Sequence, residues 1–327
     1  FSTSTPANGT YQLLPGTLSV GTQSFSSNAA TSKAVSFNYA NSTVTVATAA
    51  LNAVTLGSAL SNTYGTASTP GIAFTASGTL SPGVTITASP NSGYEVSVTN
   101  STSGFSSSAI TGIANGANVW VRHAATRNAG TYNTSVAVVL SSSGVSPDAN
   151  ITTSASGNTV ATASLTITAN NGSKTYGQTF TTGSGSTLFS SSGLQNSETI
   201  GSITIASSGA VNTAVVGSYA IVPSAATGGT FTASNYAITY TNGTLTVNTA
   251  PLTITASDDS KTYGQTYTVG SGATAFTPSG LQNSETIGSI TIASSGAVNT
   301  ASVGSYAIVP SAATGGTFTA SNYAITY

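Results

Sequence analysis

The 327-residue sequence has no cysteine, no methionine and almost no charge. Without thiols it can build no disulfide framework, no thiolate nucleophile and no Cys-ligated metal centre. Lacking both sulfur residues, it also lacks the side chains most easily oxidised, which suits long exposure outside a cell. Lys plus Arg number 5 and Asp plus Glu 6, a charged fraction of 3% where a soluble domain carries roughly 25%. The net charge of −1 supplies no field to steer nucleic acid or an anionic membrane, and no repulsion to hold copies apart. Nucleic-acid binding is therefore excluded as an expectation, and close self-association is allowed. No stretch reads as a signal peptide or a membrane span. The sequence starts at Phe1, so any export signal is expected outside it.

What is present is hydroxyl and amide: Ser, Thr, Asn and Gln set between Val, Ile and Ala. Hydrophobic residues make up 39%, enough for small cores. Runs such as GIAFTASGTL, GVTITASP, GYEVSVTN, NVWVRHAA and GTYNTSVAVVL alternate apolar and polar residues between Gly, Pro, Asn and Ser. That alternation predicts half-buried antiparallel strands joined by turns. Six or seven such runs in residues 53–160 fit a β-sandwich. No segment keeps a helical period over three turns. The sole helical candidate is GLQNSETI at 193–200, repeated at 280–287, with room for one turn. The expected fold is all-β, with at most short helical turns, as tandem β-sandwich modules strung like beads.

Internal repetition sets the organisation. Residues 165–240 align with 252–327 at a constant offset of 87, without gaps, and 66 of 76 positions are identical. From Ser192 onward only Val215 and Ser302 differ. Near-identity of neighbours predicts a duplicated structural unit and argues against two domains with separate chemistry. After Tyr240 the first copy continues as TNGTLTVNTAPL, whereas nothing follows Tyr327. At the other end, GTYQLLP and AVSFNYANSTVTV echo GSYAIVP and NYAITYTNGTLTV. The expected domains are the back half of a related module at 1–50, a sandwich module at 51–162, one repeat at 163–250, and a second at 251–327 lacking its last strand.

LTITANNGSKTYGQT, SGLQNSETIGSITI, GSYAIVP and NYAITYTNGTLTV, in that order, resemble the MBG repeats of bacterial surface proteins and large adhesins. The resemblance covers 165–249 and 252–327, with a weaker echo in 1–48. Many members carry Asp after KTYG, where this sequence has Gln178 and Gln265, which argues against a bound cation there. The middle module is similar to Ig-like sandwiches of bacterial secreted proteins. Both resemblances imply an extracellular or cell-surface location and a non-enzymatic role without cofactors, as adhesin stalk, filament or biofilm-matrix component. The partners so implied are other copies or neighbouring modules of one long chain. A carbohydrate-binding or ice-binding module, with surface polysaccharide as partner, is the alternative, because Thr-rich strands such as SITIAS present flat hydroxyl faces.

Two of the five cations occupy one repeated phrase, SKTYGQT. Each repeat holds one Lys and one Glu at matching positions, Lys174 with Glu198 and Lys261 with Glu285, and the expectation is a structural ion pair that fixes register. Two solvated side chains, or a covalent link from a buried lysine to Asn235, Asn322, Asn196 or Asn283, are the other readings. Tyr176 and Tyr263 are expected in the core of their own module, hydroxyl at the edge. The single histidine, His123, reads as a strand residue, since no carboxylate is placed to orient it. Glu95 is expected to pair with Arg122 or Arg127 across the sheet. Asp258–Asp259 is matched by Asn171–Gly172 in the sister repeat, a poor basis for a calcium site. Sequons at Asn8, Asn41, Asn100, Asn133, Asn150, Asn171 and Asn242 are candidate glycosylation points.

Overall fold

The computed structural model describes residues 49–327 and, before them, the short strands Gly9–Tyr11, Leu18–Val20, Gln23–Phe25 and Val44–Val46. Gly9–Tyr11 pairs antiparallel with Val44–Val46. The half-module expected at 1–50, with Asn8 and Asn41, lies otherwise outside the described residues. The described chain is all-β apart from three single-turn 3-10 helices, Ser208–Ala210, Ala233–Asn235 and Ala320–Asn322. It divides into two compact units, Phe1–Ala161 and Thr162–Tyr327.

The first unit contains the middle module, a sandwich. One sheet runs Ile110–Ile113, Ile86–Pro90, Val136–Ser142, Ala149–Thr152, Val54–Thr55; another runs Tyr94–Ser97, Ala117–His123, Ile72–Ala76. The period of two along Ala117–His123 sends Val119, Val121 and His123 inward, all 0% exposed, and Trp120 and Arg122 outward. The inward residues meet Phe74, Tyr94 and Val96 from the same sheet and Ile86, Val138, Leu140 and Ile151 from the other. Full burial of each such aliphatic contributes about 1.5–3 kcal/mol.

The second unit contains the two repeats. In the first, Ala163–Ala169 runs parallel to Tyr236–Thr241 and antiparallel to Phe189–Ser192. The second sheet is ordered Gly172–Thr175, Gly243–Asn248, Gly217–Gly229, Ile200–Ala206, Gly183–Ser186. The closing strand Gly243–Asn248 is thus an interior strand, parallel to Gly172–Thr175 and antiparallel to Gly217–Gly229. Its alternation buries Leu245 and Val247 and exposes Thr244 and Thr246. Thr249 alone separates it from Ala250–Ala256, the first strand of the second repeat.

The middle module uses the same pairing order. Its early strands Val54–Thr55 and Ser61–Thr63 run parallel to the late strands Ala149–Thr152 and Thr159–Ala161. The second early strand ends with Thr63, the first residue of Thr63-Tyr64-Gly65, the tripeptide found again at 175–177 and 262–264. The three turns close alike: the amides of Thr66, Gln178 and Gln265 donate to Thr63, Thr175 and Thr262 at 3.0, 3.0 and 3.1 Å. Asn62 stands where the repeats have lysine, and its amide donates to the Thr66 carbonyl at 2.6 Å.

The segment 193–200 is not the helical turn expected of it. Gln195 accepts from the Glu198 amide at 2.9 Å, and the two residues between are left-handed, Asn196 at φ 51 and Ser197 at φ 58. Asn283 and Ser284 repeat this at φ 51 and 58. Two successive positive φ values define a reverse turn of the hairpin type, which asparagine tolerates and a helix does not contain.

Candidate functional site

The repeated phrases KTYGQ and LQNSET meet at the joint between the two repeats. The lysine shapes the first. Lys174, 6% exposed, donates from Nζ to the carbonyl of Gln178 at 2.8 Å and to that of Val211. Burial lowers its pKa below the usual lysine value. Lys261 makes the matching bonds to Gln265, at 2.9 Å, and Val298. The ammonium ties its own turn to the loop that follows Ser208–Ala210, and so aims the next residues but one, Tyr176 and Gly177, out of the repeat.

The expected lysine–glutamate pairs do not form. Glu198 accepts from Tyr236 Oη and Glu285 from Tyr323 Oη, each within its own repeat. The physical reason is proximity in the turn. Two backbone carbonyls, one only four residues away, solvate the ammonium, so the carboxylate goes to a tyrosine instead. The covalent alternative is also unsupported, since Asn322 Oδ1 accepts the Val216 amide at 3.0 Å and Asn283 bonds Asn212.

The second phrase builds a receptor on the second repeat. The Gln282 amide donates to Tyr323 Oη at 2.9 Å, so that hydroxyl is fixed between an amide donor and the Glu285 carboxylate. Into this arrangement comes Tyr176 of the first repeat, whose hydroxyl donates to Glu285 Oε1 at 2.6 Å. The Tyr176 and Tyr323 rings meet edge-on, centroids 5.5 Å apart at 79°. Around them, Asn212 Nδ2 donates to Asn283 Oδ1 at 2.9 Å, and Asn283 Nδ2 returns to the Asn212 carbonyl at 3.3 Å. Gly177, at φ +87, lies so close that an added Cβ would sit 2.2 Å from Gln282 Oε1.

Tyr176 is therefore buried, at 4% exposure, but not in its own module. It belongs to the cluster of Leu252, Ile254, Ile290, Ile292 and Tyr323 in the second repeat, joined by Val247 and Ala250 at the crossing. Tyr263, its counterpart, is 65% exposed. Burial, then the neighbouring Glu285, raises the pKa of both Tyr176 and Tyr323 above the usual value. Both hydroxyls stay protonated donors, and the carboxylate between them is a charge-assisted acceptor. The arrangement binds one repeat to the next; it offers no nucleophile or open position for chemistry.

The remaining candidates scatter. Glu95 pairs with Arg122, Oε2 to Nε 2.7 Å, from directly opposed positions on neighbouring strands. His123 is sealed in the middle module. Its Nδ1 meets Asn62 Oδ1 at 2.8 Å; the Asn62 amide already donates to Thr63 and Thr66, so Nδ1 carries the proton. Burial, then the nearby Arg127 cation, lowers the His123 pKa to about 4. Arg127 is held between the rings of Tyr94 and Tyr132, 3.8 and 3.5 Å from their centroids. Among the described residues no three His, Cys, Asp or Glu side chains gather as metal ligands, and no helix is long and apolar enough to cross a membrane. Of the described sequon asparagines, Asn150, Asn171 and Asn242 are exposed. Asn100 and Asn133 are half-buried and engaged by Ser103 and Asn158.

The repetition of both phrases was visible in the sequence; that one phrase receives the other across 109 positions was not. No curated protein matches the chain. Residues 165–246 and 252–327 each match the family described as MBG domain (YGX type), the Tyr-Gly being Tyr176-Gly177 and Tyr263-Gly264. These two segments, which differ at ten of the 76 positions they share, are tandem MBG domains of the YGX type.

Proposed function

We propose that this chain is a non-enzymatic spacer region of an exported bacterial surface protein, serving as an adhesin stalk or an assembling extracellular filament. The observation that supports this reading is the joint. A hydrogen-bonded and apolar contact between successive domains, on a one-residue connection, holds their mutual orientation, as a spacer requires and a flexible tether does not. The near-neutral hydroxyl surface supports close packing outside the cell, where oxidation-sensitive residues are a liability.

Backbone relaxation measurements on the full chain test the stiffness. Common tumbling of residues 163–248 and 250–327 is the expected result, and independent tumbling would sink the spacer reading. Immunogold labelling of intact cells tests the location: labelling before lysis is expected, and labelling only after lysis would overturn it.

A further inference from the structure

The joint brings two tyrosines of successive domains onto one carboxylate. Tyr176 Oη donates to Glu285 Oε1 at 2.6 Å, and Tyr323 Oη donates to Oε2 of the same side chain. The two oxygens of a carboxylate share one carbon, so the hydroxyls they hold are neighbours, and so are the ring carbons ortho to them. The rings meet edge-on, with centroids 5.5 Å apart. Both residues are almost fully buried, at 4% and 5% exposure. Each is also fixed from behind: Tyr176 rides on the turn that Lys174 ties down, and Tyr323 Oη accepts the Gln282 amide at 2.9 Å. In the middle module, by contrast, the Arg127 guanidinium stands between the rings of Tyr94 and Tyr132 and keeps them apart.

Composition directs oxidation towards such rings. With no cysteine and no methionine, the most oxidisable side chains left are 14 tyrosines and one tryptophan. A phenol gives up an electron readily when its proton can leave at the same time. Glu285 is placed to take that proton from either ring and, being half-buried, to pass it on to water. The electron needs no open channel, because it tunnels through packed protein to an oxidant at the surface.

We propose that Tyr176 and Tyr323 form an oxidative cross-linking site, joined ring to ring as dityrosine by a one-electron oxidant of the peroxidase and hydrogen peroxide class. Each phenol loses one electron to the oxidant and one proton through Glu285. The two phenoxyl radicals then form a carbon–carbon bond between ortho carbons. The hydrogens on those carbons move to the oxygens as the rings regain aromaticity, so both hydroxyls are kept. The chain loses two hydrogens in all, and one hydrogen peroxide becomes two waters. The bond makes the joint covalent in a chain that has no cysteine for a disulfide. It goes beyond the spacer reading, which needs the joint but no covalent bond.

The test treats the dilute full chain at neutral pH with peroxidase and hydrogen peroxide, and in parallel with light, a ruthenium tris-bipyridine complex and persulfate. Trypsin then cuts after Lys174 and Lys261, which leaves Tyr176 and Tyr323 in separate peptides, 175–261 and 262–327. The expected product is a fluorescent species joining these two peptides, lighter than their sum by two hydrogens, with fragmentation placing the link at 176 and 323. Tyr176→Phe is expected to abolish it, and Tyr240→Phe to leave it unchanged. Absence of the 176–323 link from the monomeric fraction under both oxidants, or a link formed equally well in urea, would overturn the proposal. Tumbling is measured on the untreated chain, so failure of the cross-link and failure of the spacer reading are told apart.

Discussion

Tyr176 and Glu285, 109 positions apart, share a 2.6 Å hydrogen bond that runs from one MBG domain into the next. The carboxylate already holds the hydroxyl of Tyr323 in its own domain. The receptor is thus set before the neighbour arrives, and the neighbour brings one ring and one hydroxyl.

Tyr176→Phe keeps the ring and removes the hydroxyl. A hydrogen bond to a charged group contributes about 1.5–3 kcal/mol, so denaturant unfolding should show a loss of about that size. Tyr263→Phe, at a 65% exposed position, is expected to change stability by less than about 0.5 kcal/mol. Equal losses in the two variants would show that the joint does not couple the domains.

Alkali should weaken the same contact. The folded values of Tyr176 and Tyr323 are raised above the ordinary 10.0 by burial and by Glu285. Their contribution is complete below about pH 10 and is lost as pH rises through the folded values, where phenolate would face carboxylate. Tumbling followed across pH 9–12 is expected to show the two domains moving together until Tyr176 and Tyr323 ionise and separating only then.

Acid should act elsewhere, on the middle module. His123 is buried neutral with its pKa lowered to about 4 from 6.5. The unfolded chain binds its proton first, so stability is full above pH 6.5 and falls between there and pH 4, by up to about 3 kcal/mol. His123→Gln, which cannot ionise, is expected to flatten this slope in urea unfolding of the full chain.

Gly177→Ala and Gly264→Ala separate backbone strain from docking. Both glycines are left-handed, at φ +87 and +90, but only the first has Gln282 against its missing Cβ. A left-handed alanine costs about 1–2 kcal/mol, expected at both sites. Gly177→Ala should in addition release the domains from common tumbling, whereas Gly264→Ala should not.

Lys174→Met leaves the carbonyls of Gln178 and Val211 without their donor. Lys174 itself is buried, and a hydrogen bond from a charged group contributes about 1.5–3 kcal/mol, so thermal unfolding should register a loss in that range. Lys261→Met should cost less, because its surroundings are open to water.

Much of this fold was legible in the sequence, because period-two alternation and the 87-residue offset report on local backbone and duplication. The inward set of Val119 and Val121, or of Leu245 and Val247, follows from alternation alone. The pairing of Glu95 with Arg122 was among the expected partners because each sits on an alternating strand. What failed was long-range polar pairing. Scarcity of charge suggested that Lys174 and Glu198 belong together, yet a turn offers carbonyls to an ammonium at shorter reach. The segment 193–200 spaced its apolar residues compatibly with a helical turn, and only Asn196 and Ser197 at positive φ reveal otherwise. Tyr176 was expected at home in its own core because nothing local says that a ring belongs to the next domain.

The parallel pairing of early and late strands has a mechanical consequence. Chain enters the first repeat at one end of Ala163–Ala169 and leaves from the far end of Gly243–Asn248, each parallel to a partner from the other half of the domain. Tension applied along the polypeptide would therefore slide these pairs lengthwise. The hydrogen bonds of each pair would share the load in shear and yield together, where an antiparallel hairpin pulled from its ends would unzip one bond at a time.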